Sequence, residues 1–201
     1  MSAMMKDFGG RVATVWSELR PSTRGFVERA LQSNSGNQAA RNFQYDARAD
    51  LELSRFLHAL DDRASDKNNA LDSETVSKLK SVADTCAGVL QEKTESAEVF
   101  SQLVHRAQTH RDYKRIDMLA DSLVNRFPPS EICELARSEQ VVVRELANEA
   151  LARSPVTMLT ALLSDPVDSE IARAALRRQV AEYGSEEARQ IISVLDQVEE
   201  M

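Results

Sequence analysis

Glycine, proline and aromatic residues are scarce in this sequence, and the scarcity sets its class. With 6 Gly, 5 Pro and 5% aromatic residues over 201 positions, the composition argues against a turn-rich all-β sandwich or barrel. Cysteine is rarer still. Cys86 and Cys133 stand far apart with no second Cys or His beside either, which reads as two free thiols in a reducing compartment. No apolar run approaches the ~18 residues of a membrane span. The amino-terminal stretch has Asp7 where a signal peptide needs an uninterrupted apolar core, and no small-residue cleavage site follows. A cytoplasmic protein without a membrane partner is expected. A basic excess is missing too. The formal charge of −7 argues for an acidic surface and against a dedicated nucleic-acid binder.

Ala, Leu, Glu and Arg dominate, and these are strong helix formers. Phe8, Val12, Val15, Trp16 and Leu19 recur at helical spacing up to Arg20 and Pro21, with Gly9 and Gly10 weakening the first turn. A second short helix carries Phe26, Val27, Ala30 and Leu31 and stops in the turn-forming stretch 33–37. A third is expected over 38–60, with Ala47, Leu51, Phe56, Leu57 and Leu60 on its apolar side. Residues 1–62 thus read as an N-terminal helical bundle or extension, and the polar stretch 63–73 as a linker ending in N-capping residues at Asp72 or Ser73. The remaining residues, 74–201, read as a second domain.

That domain begins with a heptad-like seam: Val76, Leu79, Ala83, Cys86, Leu90, then Ala97, Phe100, Val104 and Ala107. Two helices broken near residues 93–96 fit this pattern, and so does a single helix of about 35 residues. A long helix would open the way to a homodimer through the seam. Packing against its own chain is the alternative.

From residue 116 the chain repeats itself. At an offset of 27, Leu119, Ala120, Val124, Arg126 and Pro128 fall on Leu146, Ala147, Leu151, Arg153 and Pro155. At an offset of 25, Ala147, Ala150, Leu151 and Arg153 fall on Ala172, Ala175, Leu176 and Arg178. Such self-similarity marks stacked helical units. Each unit reads as a short helix, a tight acidic turn and a longer helix. Small residues on the longer helix let its neighbours approach closely. Val143 and Arg144 followed by Ala147 and Leu151, after the Leu135 helix and its acidic turn, resemble the HEAT-like, armadillo-type repeat family. The second copy departs from that pattern, with Asp168 and Ser169 where Val143 and Arg144 stand. The period is also shorter than the family's. The resemblance covers residues 116–194 and implies an all-α fold: a short right-handed α-solenoid of helical hairpins, with a role in binding rather than a particular ligand.

Arg126, Arg153 and Arg178 recur at the repeat offsets. A ladder of guanidinium groups would grip acidic or phosphorylated segments of a protein partner, since guanidinium binds such groups bidentately. The structural alternative pairs each arginine with an acidic turn, through Asp165 or Glu139 for example. His105 and His110, five positions apart, do not share a helix face as a metal pair would. No phosphate loop, nucleophile elbow or Cys–His spacing is present. No metal, cofactor or catalytic residue is assigned. The expected function is a non-catalytic protein-interaction or scaffold module. The alternatives are an enzyme or enzyme subunit on a HEAT-like scaffold and an oligomer joined through the seam at 76–107.

Overall fold

The computed structural model describes residues 2–32, 45–66 and 71–199. Among them the chain is all-helical, with twelve α-helices and no strand. It divides into two compact units, Met1–Thr94 and Glu95–Met201. No helix among the described residues is long and apolar enough to cross a membrane.

The first unit contains α1 (Ser2–Asp7), α2 (Gly10–Glu18), α3 (Pro21–Gln32), α4 (Ala47–Ser65) and α5 (Ser73–Lys93). The expected opening helix is split at Gly9, whose φ of 118° suits a residue without a side chain. Arg63 reaches back from α4 and donates from Nε to the carbonyl of Phe8 at 2.7 Å, satisfying a carbonyl that the break exposes. α4 begins after Asp46, whose carboxylate accepts the amide of Ala49 at 2.7 Å. Residues 33–37 and 38–44 of the expected turn and third helix lie outside the described residues. Ala49, Leu53, Phe56, Leu57 and Leu60 of α4 are buried, whereas Leu51, expected on the apolar side, is 51% exposed. α4 packs extensively on α5, and α2 and α3 also contact this pair. The stretch 63–73 therefore lies inside the first unit: its first residues end α4, 67–70 fall outside the described residues, and Asp72 caps α5 through the amide of Thr75 at 2.9 Å.

The seam resolves into two helices, α5 and α6 (Ala97–Thr109). No glycine or proline makes the break. Thr94, fully buried, returns its amide to the carbonyl of Leu90 at 2.8 Å and donates its hydroxyl to Asp50 of α4 at 2.7 Å. Ser96 then caps α6, and Glu131 accepts the amide of Ala97 at 2.7 Å. Leu79, Ala83, Cys86 and Leu90 are buried in the first unit. Ala97, Phe100, Val104 and Ala107 are buried in the second.

The second unit continues with α7 (Tyr113–Arg126), α8 (Pro129–Ala136), α9 (Val141–Ala152), α10 (Val156–Leu162), α11 (Ser169–Tyr183) and α12 (Glu186–Glu199). Pro128 and Pro155 are equivalent N-caps, with φ of −58° and −55°. Gly184 closes α11 in the left-handed conformation at φ 63°. The helices contact one another alternately: α6 with α8 and α8 with α10, α7 with α9 and α9 with α11. Ala147, Ala150 and Leu151 of α9 and Ala172, Ala175 and Leu176 of α11 are all buried, whereas Val124 of α7 is exposed.

Candidate functional site

α9 and α11 approach each other over alanines, and a groove of about 340 Å³ opens along this contact. Asn148 and Leu151 line it from α9, Ala136 from the end of α8, and Glu170, Ile171, Ala174, Ala175 and Arg178 from α11. The α11 residues follow one helix face over eight positions, about 12 Å of axial length at 1.5 Å per residue. The floor is apolar and shallow because alanine is the residue that lets helices come close. Polar groups stand along the walls.

Arg178 is held on two sides. Its Nη2 donates to Glu149 at 2.7 Å and its Nε to Glu182 at 2.8 Å. Tyr183 donates its hydroxyl to the other oxygen of Glu149 at 2.9 Å. The bond to Glu182, followed by the charges of Glu182 and Glu149, raises the pKa of Arg178. The bond to Glu149 raises that of Tyr183, and Arg153 opposes the rise.

Of the three arginines singled out by the repeat, Arg178 alone is bonded into the cluster of Glu149, Glu182 and Tyr183, while Arg153 acts on Tyr183 only through its charge. Arg126 is the half-buried last residue of α7. The three do not occupy equivalent helix ends. Arg153 is the exposed C-cap of α9, whereas α11 runs on past Arg178 to Tyr183. The carboxylates that hold Arg178 are helical, Glu149 and Glu182, rather than Asp165 or Glu139 of the acidic turns.

The N-cap of α11, three residues past Asp165 of the acidic turn, does have an arginine partner, and it is one the repeat did not indicate. Arg137, the C-cap of α8, donates from Nη1 to Asp168 at 2.6 Å. Asp168 is only 4% exposed and stands at the +25 position from Val143, which is fully buried. Asp168 is therefore a buried carboxylate at the N-cap of α11, made tolerable by a guanidinium from 31 residues upstream. The anomaly of an aspartate at an apolar position was the available signal; its partner was not readable from spacing.

Among the described residues no group of three His, Cys, Asp or Glu side chains could hold a metal ion, and His105 and His110 are exposed. Cys133 is buried, and that burial, with the charge of Asp168 adding to it, pushes its thiol up to about 11, away from the thiolate a nucleophile needs. No family model, curated protein or solved structure matches the chain.

Proposed function

We propose that the chain is a non-catalytic protein-binding module, that its second unit is a short α-solenoid of HEAT-like hairpins, and that the α9–α11 groove receives an amphipathic helix of a partner. The observation that carries this reading is the groove itself. It is an open trough two helical turns long, with an apolar floor of alanine, leucine and isoleucine and polar groups along its walls. Leucine or phenylalanine side chains one turn apart on a partner helix would fill it. The alternate packing of α6, α8 and α10 against α7, α9 and α11 supports the solenoid reading, since stacked hairpins contact only their neighbours.

The charges suggest an orientation. Glu170, exposed and in no ion pair among the described residues, stands at one end of the trough. Arg178 stands at the other, and the exposed Arg153 lies two residues beyond the lining residue Leu151. A partner helix with a basic residue toward Glu170 and a carboxylate toward Arg153 fits this polarity. Arg178, already spanned by Glu149 and Glu182, acts here as a fixed wall.

Ala174 is exposed on the groove floor, so Ala174→Trp fills the trough with little cost to folding. A photo-crosslinking residue at position 174 should capture one protein from native extract, through a segment of amphipathic helical pattern. Ala174→Trp should abolish that capture while leaving the helical circular dichroism unchanged. Capture that is indifferent to the tryptophan, or a crosslinked segment without helical periodicity, would overturn the reading.

A further inference from the structure

The turn between α6 and α7 concentrates positive charge in a chain whose formal charge is −7. Residues 105–115 hold Arg106, Arg111, Lys114 and Arg115 against the single acid Asp112, with His105 and His110 in addition. Arg106 is buried. Arg115 turns back toward Asp112, with Nε 3.7 Å from the carboxylate. Arg111 and Lys114 remain: both are exposed, and neither enters an ion pair among the described residues. Tyr113 lies between them in sequence and is 70% exposed, the most exposed large apolar side chain described.

The backbone holds this corner rigidly. The amide of Asp112 returns to the carbonyl of Ala107 at 2.8 Å and that of Arg111 to Gln108 at 3.0 Å, the double closure of a Schellman motif. Asp112 then caps α7 through the amide of Arg115 at 3.1 Å. Arg111 sits at φ 56°, a conformation that glycine adopts at less cost. The turn is closed without help from the guanidinium, which is left to solvent.

We propose that Arg111, Tyr113 and Lys114 form a docking surface for a short acidic peptide segment of a partner protein. None of them lines the α9–α11 groove, so this surface stands independently of the function proposed above. Two unpaired cations on either side of an exposed, amphipathic ring in sequence suit carboxylates flanking an apolar or proline residue, since tyrosine supplies contact area at little entropic cost. The footprint favours a peptide over a nucleic acid. Three extended residues span roughly 10 Å, close to the ~8 Å screening length at physiological salt. A longer polyanion would extend past the corner over an acidic protein.

The test uses the full chain and a dye-labelled tripeptide of phenylalanine flanked by two glutamates, read by fluorescence anisotropy at low and high salt. The decisive variant is Arg111→Gly, because glycine is favoured at φ 56° and the turn stays folded. Arg111→Gly with Lys114→Gln should weaken binding about tenfold at low salt and flatten its salt dependence. Tyr113→Ala should weaken it with the salt dependence kept, and Ala174→Trp should leave it unchanged. Unaltered binding in the Arg111/Lys114 double variant overturns the proposal. So does tighter binding of dodecathymidylate than of the peptide, which would assign the corner to nucleic acid. So does a concentration-dependent dimer in light scattering that the double variant abolishes, which would assign it to a second copy of this chain.

Discussion

The first unit and the stretch of the second from α8 onward reach a closed interior by different means. The first buries large rings: Phe8, Trp16, Phe26 and Phe56 are all within its core, and Trp16 meets Phe56 with centroids 5.2 Å apart. The second unit buries the rings of Phe100 and Phe127, with centroids 5.3 Å apart, but from α8 onward no aromatic side chain is buried among its described residues. Ala147, Ala150, Ala152, Ala172, Ala175 and Ala188 take that place, with single leucines between them. A ring fills an irregular space that only one arrangement of helices creates, so each contact is particular. An alanine contact is generic and can be repeated down a stack. This explains why periodicity surfaces in one half of the chain and not the other.

The comparison predicts its largest effect at Phe56. Phe56→Ala removes a fully buried ring and should cost about 3–5 kcal/mol, because a rigid aromatic core collapses poorly around a void. Cys86 and Cys133 are both buried, one in each unit, and serve as local reporters. In a urea series, Cys86 of the variant should react with a thiol reagent at clearly lower denaturant than in the wild type. Cys133 should hold its protection. If both thiols open together and at the same shifted midpoint, the units are one cooperative body and the contrast drawn above fails.

The boundaries of α7 to α11 were legible because local chemistry marks them: Pro128 and Pro155 at helix starts, Gly184 at a helix end, an acidic turn before α11. The all-helical class was legible from composition. Three features were legible only in part, a break near residues 93–96 and a misfit at Asp168 among them, and each is completed by a residue far away in sequence. The break at Gly9 is completed by Arg63, the break at Thr94 by Asp50, and the misfit Asp168 by Arg137. Periodicity reports faces of single helices, not partners from another helix. The candidate site was only half visible for the same reason. Its alanines recur in the sequence, whereas Glu149 and Tyr183, which join Arg178 in one cluster, follow no period.

A middle-sized effect probes the second unit. Arg137→Ala leaves the buried Asp168 without its guanidinium, an interaction of about 1–2 kcal/mol once the partial exposure of Arg137 is discounted. Asp168→Val in the Arg137→Ala background should recover most of that loss if 168 matches position 143, whose valine is buried without polar support. Cys133 exposure in urea follows both variants. A double variant no more stable than Arg137→Ala alone would mean that position 168 is not equivalent to 143, and the repeat would lose its firmest structural correspondence.

The smallest effect belongs to the first unit and is electrostatic. Arg20 clasps Asp46 with two bonds, Nη1 to Oδ2 at 3.0 Å and Nη2 to Oδ1 at 2.7 Å, and extends its Nε to Glu52 at 3.1 Å. The bond from Arg20, reinforced by the amide of Ala49, lowers the Asp46 carboxyl to about 2 from its ordinary 3.8. A carboxyl that is more acidic folded than unfolded stabilises the fold only while it is ionised. The contribution is full above pH 4 and disappears as the pH falls from about 4 through 2. The pair is exposed, so salt weakens it. Trp16, the one tryptophan of the chain, is buried in this unit and reports on it alone. Urea midpoints followed by its fluorescence should fall between pH 4 and 2 in the wild type. They should fall less steeply in Asp46→Asn, which still caps α4 but cannot ionise. Cys133 protection should not distinguish the two proteins at any pH, because Asp46 belongs to the first unit. Equal slopes in wild type and variant would show that the clasp contributes nothing that protonation can remove. The first unit would then rest on its rings alone.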